Sequence, residues 1–144
     1  MERKTVKFSE SKTLTELEKD DWGDSKSDSY IEQNCYSLRK KKIREFDVED
    51  LRIMINQDIG LPYLLPKALQ MLEEDPLAEG MHYKGDLLCS VLRVNSEFYK
   101  SNNDYKVQVE ALVKNAIRNM KSLDEIDLEV TKEALDEAVE YFKR

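Results

Sequence analysis

Residues 46–94 constrain the fold more than any other part of the sequence. This stretch carries the densest run of apolar residues, together with all three prolines and three of the four glycines. Its apolar positions recur with the three-to-four-residue spacing of helices that bury one face. The prolines and glycines interrupt that spacing at a few points, where helices have to begin or end. The stretch therefore predicts two helices, an ordered irregular loop and a third helix.

Local signals place the helix ends within this stretch. Asp47 and Asp50 have the spacing of a helix cap, and Gly60 has the position of a glycine that closes the helix they open. Pro62 suits the first turn of the next helix, because the missing N–H of a proline has no helical partner to lose there. The short link predicts an antiparallel hairpin. Residues 73–85 break the helical spacing and form the expected loop.

Helical spacing continues on both sides of this stretch. Thr13 and Glu16 have the spacing of a capping box, which opens a short first helix. We expect Ile31, Ile117 and Val130 to lie on the buried faces of later helices, because each follows the apolar repeat of its segment. Four further elements are expected: a helix from Tyr30, a short turn at Asn95, a long helix to about Met120 and a last helix from Leu128.

These elements predict an all-α fold. We expect a single compact domain of about six or seven helices in antiparallel hairpins, and a solenoid-like stack of helix pairs remains an alternative. A chain of 144 residues fits one domain. Residues 1–12 are polar and lack periodicity, so they are expected to form a flexible N-terminal arm. Residues 13–144 then form the helical domain.

The chain is strongly acidic. It has 30 acidic and 23 basic residues, which gives a formal net charge of −7. A negative chain repels phosphate backbones and associates rapidly with basic partners, so we expect no nucleic-acid partner. No segment approaches the roughly 18 apolar residues that a membrane span requires, and no apolar run follows the charged N-terminus as in a secretory signal. We therefore expect a cytoplasmic protein with no membrane partner.

No signature of a reactive centre is present. Cys35 and Cys89 are isolated and are expected to be buried free thiols in a reducing compartment, in preference to a disulfide. His82 is the only histidine and has no nucleophile or carboxylate at motif spacing. The consecutive carboxylates at 73–75 fan out around a helix and do not converge on one ion. We expect no cofactor, no metal site and no enzymatic activity.

Three surface features each have two interpretations. Trp22 follows two aspartates, and it either anchors the first helix to the core or forms an exposed aromatic hot spot with an anionic rim. The basic run at 39–44 either stabilises a helix C-terminus or binds nucleic acid, although no interleaved aromatic residues favour the second. The segment from Ser122 onward has eight acidic and three basic residues, which form either a solvated face or a docking face.

Several sequence blocks keep an order and spacing that are typical of one protein family. They are residues 17–23, 28–30, 35–41, 46–53, 59–66, 74–80 and 83–93. Together these blocks resemble the immunity proteins of bacterial contact-dependent growth inhibition (CDI) systems, the CdiI family. The resemblance spans about residues 14–120, so the arm and the last helix lie outside it.

The resemblance implies a non-enzymatic antidote. Members of such families bind the C-terminal toxin domain of a CdiA effector delivered by a neighbouring cell and neutralise it, often by covering its active site. The toxin is commonly a nuclease, and an EndoU-type RNase that cuts tRNA is the preferred candidate here. A nuclease presents a basic cleft to its polyanionic substrate, which an acidic inhibitor is able to occupy. The net charge agrees with such an inhibitor.

Under this hypothesis the toxin-binding residues combine carboxylates with aromatic anchors. We place them at Asp20, Asp21, Trp22, Asp24, Glu74, Asp75, Glu79, His82, Tyr83 and Asp86. The alternative function is a helical adaptor or regulatory protein that uses the basic run at 39–44 on nucleic acid. A salt-sensitive affinity for tRNA or DNA would favour that alternative.

Overall fold

Helices form most of the structure. In the computed structural model, which describes residues 8–144, the eight α-helices are α1 (Leu14–Glu18), α2 (Tyr30–Leu38), α3 (Val48–Asn56), α4 (Leu61–Glu74), α5 (Asp86–Leu92), α6 (Ser96–Ser101), α7 (Asn103–Asn119) and α8 (Glu125–Lys143). Two 3₁₀ turns, Ile43–Glu45 and Met120–Ser122, precede α3 and α8. The all-α prediction is confirmed, and the additional helix is α6, where the sequence predicted only a short turn.

Helix α5 lies at the centre of the core. All seven of its residues are buried, and it packs against α3, α4, α7 and α8. A helix of two turns is not stable alone in water, so α5 depends on these neighbours. Two of them precede α5 in the chain and two follow it, and they close around α5 into the single compact domain that was predicted, instead of extending as a stack.

The predicted starts of α1 and α3 are confirmed. Thr13 Oγ1 accepts a hydrogen bond from the Glu16 N–H at 3.2 Å, and the Glu16 carboxylate accepts one from the Thr13 N–H at 3.1 Å. Asp47 and Asp50 form the same reciprocal pair, at 2.8 and 3.2 Å. Each pair satisfies backbone donors that a helix start leaves free. Because the partners are three residues apart, the sequence alone was sufficient to locate these starts.

The end of α3 differs from the prediction that Gly60 closes this helix. Asp58 closes it instead, with φ at +55°. The N–H groups of Asp58 and the next residue donate to the carbonyls of Ile55 and Met54, both at 3.0 Å, as in a Schellman motif. Gly60, at φ +66°, is the N-cap of α4. A Cβ atom there would lie 2.8 Å from Leu14 Cδ1, so a larger residue would also displace the Leu14 side chain of α1.

Three residues that were predicted to be buried are exposed. Ile31, Ile117 and Val130 are 40%, 55% and 46% exposed. The position expected of Val130 is taken by its neighbour Thr131, which is buried and whose Oγ1 donates to the Lys84 carbonyl at 2.8 Å. The apolar repeat predicts that a helix has a buried face, but the packing partner decides which residue lies at the centre of that face.

The described part of the predicted arm contacts the helical domain. The Phe8 ring packs edge-to-face on Tyr63, with centroids 5.1 Å apart. Glu10 forms an ion pair with Lys67 at 2.7 Å, and its carbonyl accepts a hydrogen bond from the Arg44 N–H at 2.9 Å. Residues 1–7 lie outside the described residues, so the flexibility of the arm stays a prediction.

Candidate functional site

The predicted toxin-binding residues form two groups in the structure. The first, the 20–24 segment, lies between α1 and α2. The second, the α4–α5 loop, runs from the end of α4 to the start of α5 and is defined here as residues 74–86. Between residues 8 and 144, no hydrogen bond or ion pair joins the two groups.

Arg39 holds the 20–24 segment in place. Its side chain is fully buried, forms an ion pair with Glu18 and donates from Nη2 to the Asp20 carbonyl at 2.7 Å. Its guanidinium carbon lies 4.2 Å from the centroid of the Trp22 ring, a cation–π contact. Its backbone carbonyl accepts from the N–H and the hydroxyl of Thr15, both at 3.1 Å. One arginine thus fixes both α1 and the segment that follows it.

Trp22 is both anchored and exposed. It packs on Arg39 and, edge-to-face, on Tyr36, with ring centroids 5.3 Å apart. Its Nε1 donates to Asp20 Oδ2 at 3.2 Å, which fixes the orientation of the indole. Even so, 38% of the residue stays exposed. The two interpretations of Trp22 therefore do not exclude each other, because one side of the ring packs and the rest is free to contact a partner.

An open groove runs beside Trp22, and we call it the Trp22 groove. It encloses about 400 Å³ and is lined by Trp22, Ser29, Ile31, Glu32, Cys35, Tyr36, Gln57 and Ile59. Most of these side chains are apolar or aromatic. Ile31, Glu32 and Gln57 are exposed, whereas Cys35 is buried. The accessible lining is therefore mixed: Trp22 and Ile31 supply apolar surface, and polar groups, among them the Glu32 carboxylate, lie beside them.

Two carboxylates from the helices hold the backbone of the α4–α5 loop. Asp86 Oδ1 accepts from the Gly80 N–H at 2.7 Å, and Oδ2 accepts from the His82 N–H at 3.1 Å. Glu49 Oε1, from α3, accepts from the Met81 N–H at 3.0 Å. A Cβ atom on Gly80 would lie 2.5 Å from that same oxygen, so a larger residue there would displace the Glu49 carboxylate from its present position.

Arg52 and α8 complete this support. The Arg52 guanidinium binds both oxygens of Glu49 at 2.7 Å each and approaches Asp86 Oδ2 at 3.9 Å. On the other side of the loop, the Lys84 carbonyl accepts from the hydroxyl of Thr131. Helix side chains therefore hold the backbone of the loop at four positions between residues 80 and 84. The predicted ordered loop is confirmed, and its order comes from charged side chains that hydrogen-bond its backbone.

The members of the α4–α5 loop differ in accessibility. Asp86 is buried and its oxygens are occupied within the loop, so its role in this structure is to shape the loop. Tyr83 is half-buried, and burial together with the neighbouring Cys89 raises the pKa of its hydroxyl. The residues that face solvent are Glu74, Asp75, Glu79 and His82. Glu79 is also 3.8 Å from Lys84, which reduces its net charge locally.

Because a glutamate helps to hold the α4–α5 loop, the stability of the protein should depend on pH. Arg52, together with the Met81 N–H, holds the pKa of Glu49 below its ordinary value of 4.5. A carboxylate with a lowered pKa in the folded state stabilises the fold above its unfolded pKa and loses that contribution as the pH falls through the folded pKa. The melting temperature of Glu49→Gln should therefore lie well below that of the wild type at neutral pH, and the difference should shrink on acidification below about pH 4. Glu133→Gln, at an exposed position, is the control and should melt like the wild type at both pH values.

The basic run at 39–44 is largely neutralised. Arg39 is buried against Glu18, Lys40 pairs with Asp24 at 2.6 Å, and Lys41 pairs with Asp50 at 2.6 Å. These cations are consecutive in the chain, whereas their acidic partners come from three other segments. A run of positive residues in the sequence therefore does not produce a positive surface of the same extent.

Two further tests concern metals and membranes. Within residues 8–144, no cluster of three His, Cys, Asp or Glu side chains has a geometry that could hold a metal ion. In the same range, no helix is both long and apolar enough to cross a membrane. Cys35 and Cys89 are buried free thiols, as predicted, and burial raises the pKa of both.

Comparison with known proteins identifies the family. A family model described as CDI immunity proteins matches residues 16–109, which is well over half of the chain. The chain belongs to the CDI immunity proteins. The match includes both groups of predicted toxin-binding residues and the core helix α5, whereas α8 lies beyond it. No curated protein and no solved structure matches this immunity protein at a significant level.

Proposed function

We propose that this immunity protein neutralises its toxin by binding the C-terminal toxin domain of the CdiA effector directly, and that it catalyses no reaction itself. The family match over residues 16–109 is the observation that carries this proposal. The surface adds to it, because exposed carboxylates surround both groups of candidate residues. We assign the toxin contact to the solvent-facing members of these groups. Arg39 holds the 20–24 segment in position, and Glu49 and Asp86 hold the α4–α5 loop.

The toxin in this proposal is a basic nuclease whose active site the immunity protein covers, with an EndoU-type RNase acting on tRNA as the preferred candidate. A nuclease has to attract a polyanion, so its active site is electropositive. An inhibitor with a net charge of −7 is attracted to the same site. The alternative role as a nucleic-acid adaptor is less favoured, because Arg39, Lys40 and Lys41 already have acidic partners.

Protection of cells and inhibition in solution test this proposal. The toxin domain encoded immediately upstream should arrest growth when expressed alone, and co-expression of the immunity protein should restore growth. The purified toxin domain should cleave tRNA, and an equimolar amount of the immunity protein should abolish the cleavage. Growth arrest without tRNA cleavage would refute the RNase assignment alone, and a failure to bind the domain would refute the proposed function.

The opposite charges of the immunity protein and its proposed toxin predict how salt affects their association. If opposite charges steer the encounter, the association rate constant should fall by about tenfold or more from low to high salt, while the dissociation rate constant changes little. Stopped-flow fluorescence with the purified toxin domain measures both constants. The immunity protein should also show no salt-sensitive affinity for tRNA in the same buffers, since such an affinity is what the adaptor function requires.

A further inference from the structure

The Trp22 groove has features that an inhibitor of a basic protein needs in a docking site. Its lining offers Trp22 and Ile31 as exposed apolar surface, and Glu32 as a free carboxylate on the rim. An exposed tryptophan that is held in one orientation is the residue type most enriched among the dominant contacts of protein interfaces. Trp22 is held by Arg39, Tyr36 and Asp20, so binding would cost little side-chain entropy.

The charge around the groove identifies the partner's chemistry. Residues 16–33 contain seven acidic and two basic residues. Glu18 and Asp24 are paired with cations, but Asp21 and Glu32 are exposed and have no ion-pair partner within residues 8–144. The apolar surface of Trp22 and Ile31 beside the free carboxylate of Glu32 matches a lysine or arginine, whose aliphatic stem packs on apolar surface while its charged end reaches an acid. A neutral or acidic segment would gain nothing from this rim.

We propose that the Trp22 groove receives a lysine or arginine side chain from a basic segment of the toxin domain, and that this contact anchors the complex. The inference rests on the proposed function and specifies which of the two groups supplies the main contact. The α4–α5 loop contributes less, because Asp86 is committed to the loop itself and Glu79 lies close to Lys84. The loop therefore has fewer free carboxylates than its sequence suggests.

Binding of purified toxin domain to variants of the full chain tests the anchor. Trp22→Ala should weaken the affinity by about 30-fold or more, the effect of removing a dominant interface residue. Glu32→Lys should lower the association rate by about tenfold at low salt and by much less at high salt. Tyr30→Ala is the matched control, because Tyr30 is 74% exposed, adjacent in sequence and outside the groove lining. It should change the affinity by less than about threefold.

The possible results distinguish a failure of the groove proposal from a failure of the proposed function. If the wild type binds and folded Trp22→Ala and Glu32→Lys bind equally well, the groove is not the anchor and the proposed function stands. Loss of binding only in a variant with Glu74, Asp75 and Glu79 changed to lysine would overturn the groove in favour of the loop. If the wild type itself does not bind, both proposals fall. If Trp22→Ala melts at a lower temperature than the wild type, Glu32→Lys decides, because Glu32 is exposed at the first turn of α2.

Discussion

Replacing Asp86 with alanine should lower the free energy of unfolding by about 3 kcal/mol. The carboxylate accepts hydrogen bonds from the N–H groups of Gly80 and His82, and it lies within 4 Å of Arg52. Its removal leaves the Gly80 and His82 donors, which are partly buried, without partners and places a small apolar group in a polar site. Such losses cost more than the hydrogen bonds themselves contribute, because the remaining polar groups stay desolvated.

Urea unfolding and amide hydrogen exchange measure this effect together. The amides of Gly80 and His82 should exchange much faster in Asp86→Ala, because the loop opens locally without global unfolding. Asp136→Ala is the matched control, since its carboxylate pairs with Lys132 on the exposed surface of α8 and should leave the unfolding free energy nearly unchanged. Equal protection of the loop amides in the wild type and Asp86→Ala would contradict the assigned role of Asp86.

Replacing Arg39 with leucine should also lower the free energy of unfolding by about 3 kcal/mol, the combined loss of charge-assisted hydrogen bonds and a cation–π contact made by a buried guanidinium. The variant loses the ion pair with Glu18, the hydrogen bond to the Asp20 carbonyl and the cation–π contact with Trp22. Because these contacts fix α1 and the 20–24 segment, we expect that region to loosen before the rest of the molecule unfolds.

Tryptophan fluorescence reports this change directly, because Trp22 is the only tryptophan in the chain. The emission of Arg39→Leu should shift to longer wavelength as the indole becomes more hydrated. Arg39→Lys should restore the signal only in part, since an ammonium group cannot both lie flat on the ring and reach two oxygens. Lys40→Met, which removes the exposed pair with Asp24, should leave the emission unchanged. A wild-type spectrum for Arg39→Leu would show that Trp22 is held by other contacts.

Contacts between residues close in sequence were predictable, and contacts between distant segments were not. The capping boxes at Thr13 and Asp47 were found because each residue and its partner lie within one turn. The end of α3 was misplaced, because Asp58 adopts a left-handed conformation that favours glycine and a glycine was available two residues later. In α8, a polar threonine is buried only because a loop carbonyl from 47 residues away accepts its hydrogen bond.

The same distinction applies to the candidate site: features of neighbouring residues were predictable, and contacts with distant segments were not. The sequence indicated Trp22 and the loop carboxylates, but it contained no signal that a buried Arg39 supports one group and that Glu49 hydrogen-bonds the backbone of the other. An arginine in a basic run and a glutamate in the first turn of a helix both have ordinary explanations at the surface. Their roles depend on segments that approach only after folding, so a single sequence does not reveal them.

The position of α8 shows whether the segment that matches the family could fold without the rest of the chain. The match to the CDI immunity proteins ends at residue 109, yet α8 covers one side of α5 and its Thr131 holds the α4–α5 loop. A chain shortened to the matched segment would leave leucines of α5 facing water and would release one end of the loop. In this protein, the boundary of the folding unit therefore lies well beyond the boundary of the shared sequence.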